Sequence, residues 1–238
     1  MSRFSKCLSY QIKKKFIGTF IFVGFYTAIC AVLYLFTLFV NNSSDGFSSS
    51  FNSSMFFAAA IFGFVYVIAD YKSKTNYLMM FGNTRKNIFL SSLSSNIVFS
   101  GLLMIISTVF TIIESALAEL FNKSNEGMNL LHAIYPESNI GTEMLYICAF
   151  FILITSFSTF YGALAYKFGT ILKIIFWVAF GMSIMFLPLS ISTMTVIKAF
   201  FCYGMPNGIL LAPINFMVTA LILSAMSYAA MIRQPQVV

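Results

Sequence analysis

The sequence predicts an all-α integral membrane protein with six transmembrane helices. Of its 238 residues, 59% are hydrophobic and only 9% are charged, whereas about a quarter of an average soluble domain is charged. A soluble domain of this length could not hide so much apolar surface. Six apolar runs can each cross a hydrocarbon core of about 30 Å. Within a single transmembrane domain, 1–238, these runs are 16–40, 51–69, 88–113, 144–166, 174–197 and 209–232.

The positions of the basic residues support this topology. If both termini are cytoplasmic, 12 of the 14 Lys and Arg residues lie in inside segments, and only Lys123 and Lys198 lie outside. Six of the seven acidic residues are then external, and Asp70 alone is inside. This asymmetry follows the positive-inside rule and predicts an even number of spans in the cell membrane, with both termini in the cytoplasm. The scattered bases form no patch of the kind that nucleic-acid recognition needs.

The N-terminal segment 2–15 is predicted to be an amphipathic helix at the membrane interface. Basic residues surround an apolar stripe at helical spacing, formed by Phe4, Cys7, Leu8 and Ile12. The alternative is a simple topology signal in which the bases only hold the N-terminus inside. The apolar run 16–40 that follows is too long for a secretory signal and is expected to remain in the mature protein.

The segment 70–87 is predicted to be a cytoplasmic loop that carries a short helix. Its polar first half leads into the apolar cluster 77–81, and Gly82 with Asn83 supplies a helix stop. Asn83 or Thr84 can then cap the helix that becomes the third span. Exposed aromatic and Met side chains favour docking into a groove on a partner. A loop whose apolar residues dip into lipid fits the same pattern.

A resemblance to ABC-2-type exporter permeases is carried by the stretch Phe81-Gly82-Asn83-Thr84-Arg85-Lys86-Asn87-Ile88-Phe89. It looks like the G-x-T-R-K-x-x-F stretch between the second and third spans of that family, whose N-terminal helix and six spans are also similar. In the family, this inner loop forms a coupling helix that docks on a separate ATPase subunit. The resemblance therefore implies ATPase-coupling residues at Tyr71, Lys74, Asn76, Tyr77, Leu78, Met79, Met80, Phe81, Gly82, Thr84, Arg85 and Lys86.

A break is predicted between the fifth and sixth spans, where Gly, Pro and Asn lie close together at 203–208. The resemblance implies two short re-entrant helices here that close the outer end of a translocation path. A long fifth span followed by a turn fits the sequence nearly as well. The implied outer gate residues are Phe200, Tyr203, Gly204, Pro206 and Gly208.

The span centres carry no ionisable residue, and the chain has no phosphate-loop sequence. We therefore expect no enzyme activity and no bound cofactor in this chain itself, with ATP and Mg on a partner ATPase. The resemblance implies a permease subunit that exports a hydrophobic or amphipathic peptide, as in Gram-positive phenol-soluble modulin exporters. A second permease copy is expected, as a homodimer or heterodimer, because two ATPases need two docking sites.

Two other classes of protein remain open from the sequence. The first is the substrate-binding membrane component of an energy-coupling importer, which needs a pocket built of outer loops. The predicted outer loop, 114–143, is acidic and offers no evident site of this kind. The second is a non-transporting membrane sensor or immunity protein, which would protect against a peptide without any ATPase partner.

Overall fold

Five long α-helices form almost all of the chain that the structure describes. The computed structural model describes residues 3–40, 54–120, 135, 139–169, 171, 174, 175, 178, 198–202 and 207–232. The helices are α1 (Arg3–Val40), α2 (Ser54–Met80), α3 (Arg85–Leu120), α4 (Ile140–Phe168) and α5 (Gly208–Ile232). These residues contain no β-strand, and all five helices are long and apolar enough to cross a membrane. The predicted all-α, membrane-spanning class is confirmed.

The count of six spans stays a prediction. Most of the fifth predicted span, 174–197, lies outside the described residues. The chain is described again at 198–202, which packs beside the first turns of α5.

Three helices continue beyond their predicted ends. No break separates 2–15 from the first span, because α1 is one helix from Arg3. Likewise α2 runs through the polar half of the predicted loop to Met80, and α3 extends into the predicted outer loop as far as Leu120. The polar stretches do not end α1 and α2, because their buried polar side chains find partners inside the bundle. A separate interfacial helix and a separate coupling helix are therefore absent from the described chain.

The helices pack unequally. The most extensive contact is between α4 and α5, while α2 packs on α4, and α3 packs on both α1 and α4. Between these helices lies an apolar core that includes Phe99, Leu103 and Phe151. By contrast, the backbones of α1 and α2 approach each other at few points, and these two helices meet through side chains such as Phe22 and Phe62, whose ring centroids lie 4.3 Å apart. The outer face of α1 is apolar and uncovered around Phe20 and Phe25, as expected for a surface that faces lipid.

The two ends of the bundle differ in composition. One end contains the starts of α1 and α3 and the last turns of α2, α4 and α5, and its interior is rich in hydrogen-bonding side chains. We call it the polar end. The opposite end contains Tyr135, residues 198–202 and the first turns of α4 and α5, and aromatic rings dominate its interior. We call it the aromatic end.

Candidate functional site

The last turn of α2 carries large apolar side chains that the rest of the bundle leaves uncovered. Met80 is 86% exposed, Phe81 is 64% exposed and Tyr77 is 44% exposed. The Tyr77 ring stacks on Tyr10 of α1, with ring centroids 5.1 Å apart, and lies 4.7 Å from the Phe81 ring. We call Tyr77, Met80 and Phe81 the exposed tip. Aromatic rings and an adaptable thioether are suited to contact with a protein partner.

The inner side of the same helix end is buried in the bundle. Tyr71 is buried and lies so close to Gly162 of α4 that a Cβ at Gly162 would be 2.8 Å from the Tyr71 ring. One turn further on, the hydroxyl of Tyr166 donates a hydrogen bond to Asn76 Oδ1 at 2.8 Å. The exposed tip is therefore joined to α4 by close packing and a hydrogen bond, so a force on the tip would act on α4.

The turn between α2 and α3 is tight and well capped. Gly82 has a φ of 68°, which glycine adopts without a steric penalty, and its N–H donates to the Met79 carbonyl oxygen at 2.9 Å. Thr84 caps α3, because its carbonyl oxygen accepts from the Ile88 N–H at 3.0 Å and its hydroxyl accepts from the Asn87 N–H at 3.4 Å. The predicted helix stop and cap are both observed.

Arg85 connects this turn to the last helix. Its Nη1 donates to the carbonyl oxygens of Ile232 at 2.9 Å and Met231 at 3.4 Å. The last carbonyls of a helix lack donors within the helix and carry partial negative charge, so a guanidinium there is favourable. Arg85 thus joins the start of α3 to the end of α5.

The predicted ATPase-coupling residues fall into three groups according to how exposed their side chains are. Six are exposed, namely Tyr77, Met80, Phe81, Gly82, Thr84 and Lys86. Three are half-buried, namely Asn76, Met79 and Arg85. The remaining three are buried, namely Tyr71, Lys74 and Leu78. Only the exposed group can meet a partner directly, and the buried group holds that surface in place.

A buried network of polar side chains lies beneath this surface. We call it the polar seam, and it consists of Gln11, Lys15, Lys74, Ser91, Ser92, Ser95, Asn96 and Thr159. The Gln11 amide donates to Ser91 Oγ at 2.8 Å, and its oxygen accepts from Ser95 Oγ at 3.0 Å. These bonds join one residue of α1 to two residues of α3 that lie one helical turn apart.

Lys15 lies at the centre of the polar seam and is only 3% exposed. Its ammonium donates to Ser95 Oγ at 2.9 Å and to Asn96 Oδ1, and it lies 5.4 Å from the centroid of the Phe99 ring. The Asn96 amide in turn donates to Thr159 Oγ1 of α4 at 2.7 Å. The polar seam therefore connects α1, α3 and α4 through one lysine and one asparagine.

Lys74 brings a second buried ammonium to the same face of α3. It is also 3% exposed, and it donates to Ser92 Oγ at 2.9 Å. One turn earlier on α2, Asp70 forms an ion pair with Lys14. The Asp70 carboxylate therefore pairs with Lys14, which is not part of the polar seam.

Sequence reasoning missed the polar seam because it placed Lys15 and Lys74 in segments flanking the spans. The detectable signal was a polar face on α3, with Ser91, Ser95 and Ser92, Asn96 at a spacing of four residues. This spacing places side chains on one helical face, and such a face is unusual within an apolar span.

The predicted outer gate lies at the aromatic end, and the structure describes two of its residues. Phe200 packs on Phe216 of α5, with centroids 5.4 Å apart. Gly208 opens α5 so close to Cys202 that a Cβ would lie 2.3 Å from that residue's carbonyl oxygen. The other three predicted gate residues, Tyr203, Gly204 and Pro206, lie outside the described residues.

Tyr135 is buried in the same cluster, together with Tyr146, Cys202 and Phe216. Its hydroxyl donates to the Phe201 carbonyl oxygen. Burial raises the pKa of the Tyr135 hydroxyl, which keeps this donor protonated. Over the part of the chain that the structure describes, no group of three His, Cys, Asp or Glu residues could hold a metal ion.

The five long apolar helices define an all-helical, multi-pass membrane protein. No family model matches the chain, and no curated protein or solved structure matches it. The resemblance to ABC-2-type permeases therefore depends on the motif around the α2–α3 turn and on the order of the helices.

Proposed function

We propose that this chain is the permease subunit of an ATP-driven exporter, and that a separate ATPase subunit docks on the exposed tip. The observation that carries the proposal is the two-sided end of α2. Its outer side presents Met80 and Phe81, and its inner side is fixed to α4 by Tyr71 and Asn76. A docking element needs both an accessible anchor and a firm connection to the helices that it moves.

The charge around the tip suits a partner with acidic residues at its surface. Lys72 and Lys86 are exposed near the tip on α2 and α3. Complementary charges at the rim of an interface chiefly accelerate association, while buried apolar anchors supply most of the affinity. The proposed exporter contains two permease subunits, as a homodimer or a heterodimer, and moves a hydrophobic or amphipathic peptide out of the cell.

The test replaces Met80 or Phe81 by Asp in cells that also express a candidate ABC-type ATPase subunit. We expect copurification of the ATPase to fall about tenfold, as for the loss of an interface anchor, together with peptide export. Met80→Leu is the matched control, because it keeps an apolar side chain and should retain both activities. Leu78→Asp is unsuitable, because Leu78 is buried and a charge there would disturb the bundle itself.

Unchanged copurification and unchanged export in both Asp variants would refute the assignment of the tip. Export that continues in a strain without any ATPase partner would refute the ATP-driven mechanism. Protection against an amphipathic peptide without export and without an ATPase would instead favour a membrane sensor or immunity protein.

A further inference from the structure

The polar seam holds more positive charge than its neighbours neutralise. Lys14, Lys15 and Lys74 lie near one another around Asp70, and Lys14 forms an ion pair with that carboxylate. The buried ammoniums of Lys15 and Lys74 contact neutral oxygens, apart from the Phe99 ring beside Lys15. One carboxylate, Asp70, faces all three ammoniums. A buried charge that is not fully balanced costs several kcal/mol, so Lys15 and Lys74 favour an anion.

The arrangement also leaves donors for an anion with several oxygens. An ammonium has three N–H donors. Lys15 donates to Ser95 and Asn96, and Lys74 donates to Ser92, so half of the six donors have no acceptor in the described part of the chain. Ser92 and Ser95 lie one helical turn apart on α3, which places the two ammoniums side by side on one face of that helix.

The site faces the junction of α1 and α2, whose backbones approach each other at few points. Side chains bridge the two helices there, because the Tyr66 hydroxyl donates to the Lys14 carbonyl oxygen at 2.9 Å and Lys14 pairs with Asp70. Exposed Lys13 on α1 and Lys72 on α2 lie at the same end of the bundle and are not part of the polar seam. In membrane proteins, basic pockets between helices bind the phosphate groups of lipids.

We propose that Lys15 and Lys74 form a binding site for a phosphate group between α1, α2 and α3. The phosphate can come from the headgroup of an anionic phospholipid that enters between α1 and α2, or from free phosphate. Binding balances the two buried charges and links α1 to α2 through the anion. Docking of an ATPase is not required for it, so this site and the proposed function can be tested separately.

The experiment places the purified full chain in phosphatidylcholine nanodiscs with or without phosphatidylglycerol, and in a third sample adds inorganic phosphate to phosphatidylcholine alone. Retained lipid is counted by native mass spectrometry, and the thermal unfolding midpoint is measured. We expect phosphatidylglycerol to be retained and to raise the midpoint. Lys15→Met and Lys74→Met should retain about tenfold less of it, while Lys15→Arg and Lys74→Arg keep it.

Lys13→Met and Lys72→Met are the matched controls, because they remove the same charge from exposed positions on the same two helices. A loss in these controls as large as in the buried pair would overturn the site, since it would indicate diffuse surface attraction. A rise in midpoint with inorganic phosphate but not with phosphatidylglycerol would support the site and identify the free ion as its ligand. If neither phosphate source stabilises the unmodified chain, the proposal is wrong, whether or not the variants fold.

Discussion

The two ends of the bundle are held together by different forces. At the polar end, hydrogen bonds from Lys15 and Asn96 join α1, α3 and α4. At the aromatic end, rings from α4 and from residues 200–201 surround Phe216 of α5 with centroid distances of 5.3–5.8 Å. Ring packing depends on shape, whereas the polar end depends on matched donors, acceptors and charges.

This difference indicates which end is the better candidate for movement. Removing one ring from a packed cluster leaves a cavity that the neighbours fill only in part. A hydrogen-bonded interface in a membrane contributes less, because the separated helices find other partners. The polar end also carries the exposed tip. A partner of the kind proposed above would therefore act on the end whose interhelical hydrogen bonds can be replaced by others.

The largest expected effect is at the aromatic end. Phe216→Ala should lower the free energy of unfolding by about 3–5 kcal/mol, because Phe216 is fully buried and the change opens a cavity. Reversible unfolding in lipid–detergent mixtures would measure this loss. Phe20→Ala is the control, since Phe20 is 74% exposed and its loss should change stability by less than about 1 kcal/mol. Equal losses in the two variants would contradict the contrast between the ends.

A smaller effect is expected at the polar end. Asn96→Leu removes an acceptor from Lys15 and a donor from Thr159, and should lower the free energy of unfolding by about 1–3 kcal/mol. Much of this loss arises because the Lys15 charge keeps fewer partners. The double variant Asn96→Leu with Lys15→Met should therefore be more stable than the sum of the single effects predicts. Strict additivity in this double-mutant cycle would show that the two residues act independently.

The smallest expected effect is at the junction of α3 and α5. Arg85→Gln should reduce stability by about 0.5–1 kcal/mol, because the last carbonyls of α5 lose a cationic donor. Amide hydrogen exchange should become faster in the last turn of α5 and stay unchanged in its first turn. Lys86→Gln removes the same charge from the next, exposed residue and should leave exchange unaltered. The same exchange pattern in both variants would exclude a specific cap.

Helical class and local capping followed from the sequence, whereas helix lengths did not. Gly82 and Thr84 act through backbone conformation and bonds within a few residues, so local reasoning was sufficient for them. Helix boundaries at Lys15 and near Asp70 are not observed, for the opposite reason. A charged residue normally marks the end of a span, but these side chains are satisfied by residues about 80 or 56 positions away.

The amino-acid sequence by itself determined the membrane-spanning class and the position of the α2–α3 turn. Composition and helix-stop chemistry are local properties, and they do not depend on which helices become neighbours. Only the tertiary structure decided which face of α2 is buried, so that Met80 and Phe81 form a surface while Tyr71 and Lys74 are interior. It also decided that Lys15 and Lys74 meet on one face of α3, because that meeting depends on the packing of three helices.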